Sequence, residues 1–270
     1  MYEPIQVSEQ GRRMKTVMLR GVEIGAGIPK IAVPIVAPTA EGILDKAREL
    51  RACRFDVAEW RADYYEDAPD ADRTLDTLKR LRAVLGETPI LFAFRTKREG
   101  GAREITPEDY AALNIAVARS GDADAIDVEL LSGGEAARAA LEAIHAAGRA
   151  VVGSSHDFEK TPDKPELLRR LGAMRDMGAD ILKIAVMPRS EADVITLLDA
   201  TQEMHRRCAD RPIVTMSMGR GVVSRLCGEY FGSALTFGAV GELSAPGQIP
   251  ADQLAELLTI LHRALESAGP

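Results

Sequence analysis

The feature of this chain that most limits its possible folds is a regular alternation of two hydrophobic patterns. Eight short apolar runs are separated by longer segments in which apolar residues recur every three or four positions, as in a helix. Near-continuous Val, Ile and Leu are typical of parallel strands that are covered on both faces. The pattern therefore predicts an α/β protein with eight parallel strands, at residues 30–36, 55–61, 89–96, 125–130, 150–156, 181–187, 212–218 and 234–240.

Eight strand–helix units in a chain of 270 residues fit a (β/α)8 TIM barrel. A doubly wound open sheet is the main alternative, but it more often carries a glycine-rich phosphate turn after its first strand, and "VPIVAPTAEG" is not one. We predict one barrel domain over residues 1–270. Its first 28 residues form an extension, in which "TVMLRGVEIGAG" (16–27) predicts a short β-hairpin that closes the barrel floor.

Composition excludes some classes of partner. The formal net charge of −7 argues against general affinity for nucleic acid or anionic membranes, although a local basic pocket could still bind a small anion. No apolar run approaches the roughly 20 residues of a membrane span, and the N-terminus lacks the apolar centre of a signal peptide. Three scattered cysteines, Cys53, Cys208 and Cys227, indicate reduced thiols. We therefore expect a cytoplasmic protein.

Lys183 is the most unusual residue of the predicted strands, because it stands in the middle of the apolar run "ADILKIAVMP". Lysine is seldom fully buried without a partner, and an unpaired buried ammonium costs several kcal/mol. The nearest acidic residue in sequence, Asp180, falls on the opposite face of a regular strand. We therefore expect Lys183 to have either a distant acidic partner or a lowered pKa, and to have a chemical function.

Polar residues and methionines collect at the carboxyl ends of the predicted strands, which is where (β/α)8 barrels carry their active sites. Taken singly, each has a structural explanation: an ion pair, a solvated loop, a strand-end histidine or core packing. His145, in an alanine-rich helix, is expected to be a surface residue. The residues at or after the strand ends are Glu59, Arg61, Arg95, Glu99, His156, Met216, Met218, Arg225, Ser244 and Gln248.

Together, Lys183 and His156 suggest a specific chemistry. They lie on adjacent predicted strands, where a neutral lysine can attack a ketone or aldehyde to form an imine. The imine is an electron sink for removal of the neighbouring proton, and histidine suits that transfer because its pKa lies near neutrality. Glu99 could orient His156, as a carboxylate does in hydrolytic triads. Nearby arginines could lower the lysine pKa and bind an anionic substrate; the candidates are Arg61, Arg95 and Arg225.

Nine motifs, in order, give the chain a family resemblance over about residues 29–250. They are "PKIAVP", "EWRAD", "FRTKREGG", "DVEL", "SSHDF", "DILKIAVMP", "MSMG", "SRLCGEYFGSALTFG" and "SAPGQI". The chain resembles type I 3-dehydroquinate dehydratase, the Schiff-base dehydroquinase of the shikimate pathway. This resemblance implies a hydro-lyase that removes water from 3-dehydroquinate by syn elimination, needs no metal or organic cofactor, and is commonly a dimer.

The resemblance also implies a role for each candidate residue. Lys183 forms the imine, His156 removes the α-proton and helps the hydroxyl to leave, and Glu99 holds His156. Arg225 binds the substrate carboxylate. The resemblance further implies that ring hydroxyls are bound by Glu59, Arg61 and Arg95. It implies that Met216, Met218 and Phe237 pack around the ring, and that Ser244 and Gln248 belong to a loop that closes over the substrate.

Two other functions remain open from the sequence. A class I aldolase of the same barrel type would also use an imine lysine, but typically on a phosphorylated sugar, and no obvious glycine-rich phosphate loop follows the last two strands. A non-catalytic sensor of quinate-like ligands would be expected to lose the lysine or the histidine, or to carry an additional domain.

Overall fold

The first described element is a small antiparallel hairpin. The computed structural model describes residues 15–207, 210–241 and 247–268. The hairpin consists of β1 (Val17–Leu19) and β2 (Val22–Ile24). Leu19 and Ile24 are buried, and they pack in one hydrophobic cluster with the inward-facing side chains of the following strands. The predicted hairpin at the barrel floor is therefore confirmed.

Eight parallel strands form the barrel. The first seven pair in chain order, and the eighth pairs with the first. The ring is completed between the seventh and eighth strands, where the backbone N–H of Ala234 donates to the carbonyl oxygen of Ile213 (2.7 Å). The predicted (β/α)8 barrel is thus confirmed. Its strands are β3 (Lys30–Ile35), β4 (Val57–Arg61), β5 (Ile90–Ala93), β6 (Ala125–Val128), β7 (Ala150–Asp157), β8 (Ile181–Val186), β9 (Ile213–Ser217) and β10 (Leu235–Ala239).

Helices connect the strands and cover the outside of the barrel. Their starts follow from local chemistry: the side chains of Thr39, Asp70, Thr106 and Asp163 each accept a hydrogen bond from a backbone N–H of the first turn. Their apolar faces pack on the outer side of the sheet. The helices are α1 (Ala40–Leu50), α2 (Ala71–Leu85), α3 (Pro107–Ser120), α4 (Gly134–Ala146), α5 (Lys164–Asp176), α6 (Glu191–Arg207), α7 (Gly228–Phe231) and α8 (Ala251–Ala268).

The connection after β9 differs from the expected helix. A 3₁₀ segment, Gly219–Arg225, follows the strand, and α7 is only one turn long. Arg225 is the last residue of this 3₁₀ segment. The chain after the gap at 242–246 adds a short strand, β11 (Ile249–Pro250), which pairs with β10 at Gly238.

The barrel interior has an apolar lower part and a polar upper part. The lower layers are filled by side chains such as Val57, Leu91 and Ile181. Above them, charged and hydroxyl side chains point inwards from neighbouring strands and are almost completely buried; these are Glu59, Asp127, Ser154 and Lys183. Because burying charge is costly unless it is paired, this polar layer is where a site is expected.

Two further findings concern the helices and the cysteines. Within the part of the chain that the structure describes, no helix combines the length and the apolar character needed to span a bilayer. Cys53 and Cys227 are free thiols, and Cys208 lies outside the described residues.

Candidate active site

Lys183 lies in the polar layer with two acidic partners. Its Nζ donates to Oε1 of Glu59 (3.0 Å) and to Oδ2 of Asp127 (3.0 Å). The same nitrogen lies 4.7 Å from the centroid of the Phe237 ring, within the range of a cation–π interaction. The side chain is buried, so its charge is compensated by two carboxylates from β4 and β6 rather than by water. The expected distant acidic partner is therefore present.

Asp127 joins Lys183 to a second cation. Its Oδ1 accepts from Nη2 of Arg95 (2.8 Å) and from the hydroxyl of Ser154 (2.5 Å). Burial by itself would raise the pKa of Asp127, but the positive charges of Arg95 and Lys183 outweigh burial and hold this pKa well below its usual range. Asp127 is therefore ionised at neutral pH.

Arg95 is held by carboxylates on both sides. Besides contacting Asp127, it donates from Nη1 to Oε1 of Glu129 (2.8 Å). Glu129 in turn accepts from the backbone N–H (2.8 Å) and the hydroxyl (2.6 Å) of Thr96. Arg95 is 3 % exposed, and its charge is matched inside the protein. The structure therefore shows charge compensation around Lys183 where the sequence analysis expected repulsion from this arginine.

Arg61 is paired in the same way. It contacts Asp63 through two parallel hydrogen bonds, from Nε and Nη2, both 2.8 Å long. Asp63 is fully buried and also accepts from the backbone N–H groups of Arg95 (3.3 Å) and Ala102 (3.0 Å). Glu59, two residues before Arg61 on the same strand, pairs with Lys183 instead of with this arginine.

His156 stands near the upper end of β7 and contacts Glu99. Its Nδ1 lies 3.0 Å from Oε2 of Glu99, and its backbone N–H donates to the same oxygen (3.0 Å). Burial, with the charges of Arg95 and Lys183, lowers the pKa of His156 well below its ordinary value, so the imidazole is neutral near pH 7. A neutral ring oriented through Nδ1 leaves Nε2 to exchange a proton with a bound molecule.

Glu99 is an acid with a perturbed pKa. Burial and the negative charge of Glu129 raise this pKa, the positive charge of Arg95 opposes them, and the resulting pKa is about 7. Glu99 belongs to a tight turn, Lys97–Glu99, that ends at Gly100 with φ +83°. At Gly101 a Cβ atom would lie within 1.9 Å of the carbonyl oxygen of Arg95. The two glycines of "REGG" therefore let the chain fold back tightly enough to bring Glu99 to His156.

Arg225 is buried at the other side of the barrel mouth. Its Nη1 lies 3.5 Å from the carbonyl oxygen of Phe237 and 4.0 Å from Sδ of Met216. Burial lowers the pKa of Arg225 to about 10, which leaves the guanidinium charged at neutral pH. Met216 and Met218 are buried in the inner cluster with Phe237. This corner therefore combines an apolar wall with a guanidinium, which suits a ring that carries a carboxylate.

The closing loop is only partly described. Gln248 directly precedes β11 and is largely buried. Ser244 lies outside the described residues. The predicted roles of both residues in covering a substrate therefore stay predictions.

Several residues of the site were missed by the sequence analysis, namely the buried Asp63, Asp127, Glu129 and Ser154 and the half-buried Ser132. The signal for two of them was present. In "AIDVEL" (125–130), Asp127 and Glu129 are two positions apart on a predicted buried strand, as Glu59 and Arg61 are on theirs. Charged residues at alternate positions of an apolar strand share one face, and here that face lines the barrel interior or its rim.

Other titratable groups lie away from this site. His145 contacts Asp180 (2.8 Å) at the lower end of the barrel, which agrees with its expected place outside the chemistry. Across residues 15–207, 210–241 and 247–268, no group of three or more His, Cys, Asp and Glu side chains is arranged to hold a metal ion.

Known proteins resemble this chain over nearly its full length. Residues 31–264 match the family model described as type I 3-dehydroquinase. A 3-dehydroquinate dehydratase from Syntrophotalea carbinolica is 50% identical over 250 residues, which cover 92% of this chain and 99% of the relative. Another from Bacillus licheniformis is 48% identical over 252 residues, which cover 93% and 99% of the two chains.

Solved structures agree with the sequence matches. The type I 3-dehydroquinate dehydratase of Clostridium difficile superposes with a TM-score of 0.90 at 44% identity, over 93% of this chain and 99% of that one. The 3-dehydroquinate dehydratase of Geobacillus kaustophilus gives a TM-score of 0.89 at 39% identity, over 92% and 97%. With a family match from Ile31 onwards and relatives this similar, the chain belongs to the type I 3-dehydroquinase family.

Proposed function

We propose that Lys183 is the imine-forming residue of this protein and that His156 and Glu99 carry out its proton transfers. As a type I 3-dehydroquinase, the protein is a hydro-lyase that dehydrates 3-dehydroquinate to 3-dehydroshikimate in the shikimate pathway. The observation that carries the residue assignment is the buried Lys183 on the strand next to His156, with Glu99 at Nδ1 of the imidazole.

The first step joins Lys183 to the substrate. The neutral amine adds to the ketone carbon, and the resulting carbinolamine loses its hydroxyl as water to give an imine, which is protonated on nitrogen. The protonated imine then carries one positive charge where the ammonium stood. The carboxylates of Glu59 and Asp127, each 3.0 Å from Nζ, can compensate this charge without rearranging. We therefore assign charge compensation to Glu59, in place of the ring-hydroxyl contact that the resemblance implied.

The second step removes water. Nε2 of His156 takes a proton from the carbon next to the imine carbon, and the electrons of that C–H bond move into the imine as an enamine forms. The enamine then expels the β-hydroxyl, which receives the same proton from His156 and leaves as water. Because His156 both removes the α-proton and protonates the β-hydroxyl, the proton and the hydroxyl leave from the same face of the substrate ring. Hydrolysis of the conjugated imine returns Lys183 and releases the product.

The remaining residues bind the substrate. Arg225 is placed to bind the carboxylate, with Met216, Met218 and Phe237 around the ring. Arg61 is held by Asp63 with a planar guanidinium that can still reach a ring hydroxyl. Arg95 acts by holding Asp127 and Glu129. Ser244 and Gln248 would close the site.

The alternatives receive less support. The aldolase reading would need a phosphate site, whereas the chain belongs to a family of dehydroquinases. The sensor reading would need the catalytic set to be broken, whereas Lys183, His156 and Glu99 are all present and in one site. The Clostridium difficile relative was solved with covalently modified comenic acid, which supports covalent chemistry in the family.

Borohydride trapping tests the assignment. The protein is mixed with 3-dehydroquinate, reduced with borohydride and mapped by mass spectrometry, beside a Lys183→Met variant and a Lys164→Met control at a partly exposed lysine. We expect one reduced adduct, on Lys183, in the wild type and in the control, and none in Lys183→Met. An adduct on another lysine, or none in the wild type, would remove Lys183 from the mechanism.

We also propose that the protein works as a homodimer in the cytoplasm and that residues 1–270 form one domain. The dimer is proposed because the family that the chain resembles is commonly dimeric. The cytoplasmic location is proposed because the chain has few, scattered cysteines. In support of one domain, the hairpin shares a hydrophobic cluster with the barrel strands. Sedimentation equilibrium, cell fractionation and limited proteolysis test these three points.

A further inference from the structure

The Glu99–His156 pair lines a cavity. This cavity of about 540 Å³ opens on the flank of the barrel, between the turn at residues 97–100, the loop after β6, and α5. Both Glu99 and His156 line this cavity, as does the half-buried Ser132. Ser132 therefore lies beside the Glu99–His156 pair in one continuous space.

The two oxygens of Glu99 have different partners. Oε2 is used by His156, which contacts it through both Nδ1 and the backbone N–H. Oε1 accepts a hydrogen bond from the hydroxyl of Ser132 (3.2 Å). The carbonyl oxygen of Glu129 lies 3.4 Å from the same hydroxyl, a longer contact to a neutral acceptor. A charged acceptor at the shorter distance wins the single hydroxyl proton, so Ser132 donates to Glu99.

The backbone of Ser132 is held in place by a neighbouring side chain. The guanidinium of Arg98 donates from Nη1 to the carbonyl oxygen of Ser132 (3.2 Å) and ties the loop after β6 to the turn that carries Glu99. Both partners of the hydrogen bond are therefore fixed relative to each other.

We propose that Ser132 is a positioning residue for the dehydration, whose hydroxyl keeps Glu99 ionised and directed at His156. The inference rests on the proposed role of the Glu99–His156 pair. Glu99 needs a hydrogen-bond donor of this kind because its other surroundings have opposing effects on its pKa. Burial, Glu129 and Asp127 favour the protonated carboxyl, whereas Arg95 and the Ser132 hydroxyl favour the carboxylate.

The charged groups around Glu99 come from four elements. Lys97 and Arg98 directly precede Glu99 in its own turn, and Arg95 lies four residues before it. The groups that face it or its cavity from packed elements are Asp127 and Glu129 of the β6 region, His156 and Asp157 of β7, Glu159 after that strand, and Glu166, Arg169 and Arg170 of α5. Glu166 is paired with Arg169 and Arg170, so this part of α5 keeps one net positive charge. Arg95 is the cation that lowers the pKa of Glu99, and it is already shared with Asp127 and Glu129, so we do not expect it to replace the lost hydrogen bond of Ser132.

Ser132→Ala removes one hydrogen bond to a carboxylate and leaves the rest of the site in place. Glu99 then binds its proton more tightly, so the low-pH limb of kcat/KM moves to higher pH, by about one pH unit for a hydrogen bond of ordinary strength. On that limb the variant is roughly tenfold slower than the wild type, and above it the two enzymes are nearly equal. Ser132→Thr keeps a hydroxyl and should return the limb to its wild-type position.

The pH dependence of kcat/KM, measured for the wild type, Ser132→Ala, Ser132→Thr and Ser155→Ala, tests this inference. Ser155 lines the same cavity and serves as the matched control. We expect the low-pH limb of kcat/KM to be displaced in Ser132→Ala and to stay in place in the other three proteins. An unmoved limb in that variant, failure of threonine to restore it, or an equal displacement in Ser155→Ala would overturn the inference.

A second readout does not depend on turnover. In protein labelled with ¹⁵N-histidine, the ring nitrogens of His156 report the charge of Glu99, and their titration should move in Ser132→Ala in the same direction as the limb. Wild-type protein without dehydratase activity would sink the proposed function. An active wild type with an unmoved His156 titration in Ser132→Ala would sink this inference only.

Discussion

Lys183 and Asp127 form a buried ion pair, with 3.0 Å between Nζ and Oδ2, although their strands are not neighbours in the sheet. The strand between them, β7, carries His156 and Ser154. The pair therefore spans the barrel interior beside the histidine that we assign to proton transfer. Opposite charges in such a place are stable only together, because each has lost its water.

The coupling between these two residues is measurable. Lys183→Met leaves Glu59 and Asp127 without their shared cation and should cost about 3 kcal/mol of unfolding free energy. Asp127→Asn alone should also be destabilising, but the double variant should be more stable than the sum of the two losses predicts. Urea unfolding of the wild type, the two single variants and the double variant completes this double-mutant cycle. Lys164→Met, at a partly exposed lysine, is the control and should cost less than about 1 kcal/mol. Strictly additive losses would argue against the ion pair.

His156 should be needed for elimination more than for imine formation. His156→Ala removes the group that moves the proton, so kcat should fall by roughly 10²- to 10⁴-fold. Borohydride should still trap an adduct at Lys183, more slowly. His145→Ala is a suitable control, because His145 contacts Asp180 at the lower end of the barrel. A variant of His156 with near-wild-type turnover would require another base.

Glu99 should make the protein less stable as the pH rises. Its pKa in the folded protein is about 7, against an ordinary value of 4.5, so folding favours the protonated form. The stability that Glu99 contributes is complete below pH 4.5 and is lost as the pH rises through 7, by up to about 3 kcal/mol. Glu99→Gln cannot ionise, so its advantage in unfolding free energy over the wild type should grow across this window while kcat falls. A difference that does not vary with pH would contradict the raised pKa.

Arg225 should act mainly on substrate binding. Arg225→Lys keeps the charge but loses the planar pair of donors that matches a carboxylate, so KM should rise by about tenfold or more, with a smaller change in kcat. Arg220→Lys, at an exposed arginine of the same 3₁₀ segment, is the control and should leave KM unchanged. A large fall in kcat with an unchanged KM would place Arg225 in the chemical steps instead.

The barrel and the central pair of catalytic candidates could be predicted from the sequence. Strand and helix periodicity is local, because it depends on which face of each element is buried, and eight alternations in one chain leave few architectures. Lys183 was visible for the same reason, as a charge at a position where the local pattern demands an apolar residue. The seventh helix was predicted less well, since the chain after β9 forms a 3₁₀ segment that turns Arg225 inwards.

The partners of those residues were decided by the tertiary structure. Glu59 and Asp127 are 124 and 56 residues away from Lys183 along the chain, and only closure of the barrel brings the three side chains into one layer. The same closure pairs Arg95 with Asp127 and Glu129, which turns an expected source of repulsion into a compensated charge. Sequence patterns determine which face a side chain takes, whereas the distance between two charges depends on how all the strands are tilted and staggered. For that reason the sequence alone determined the barrel and the chemical type of the site, and the tertiary structure decided which charges stand next to Lys183.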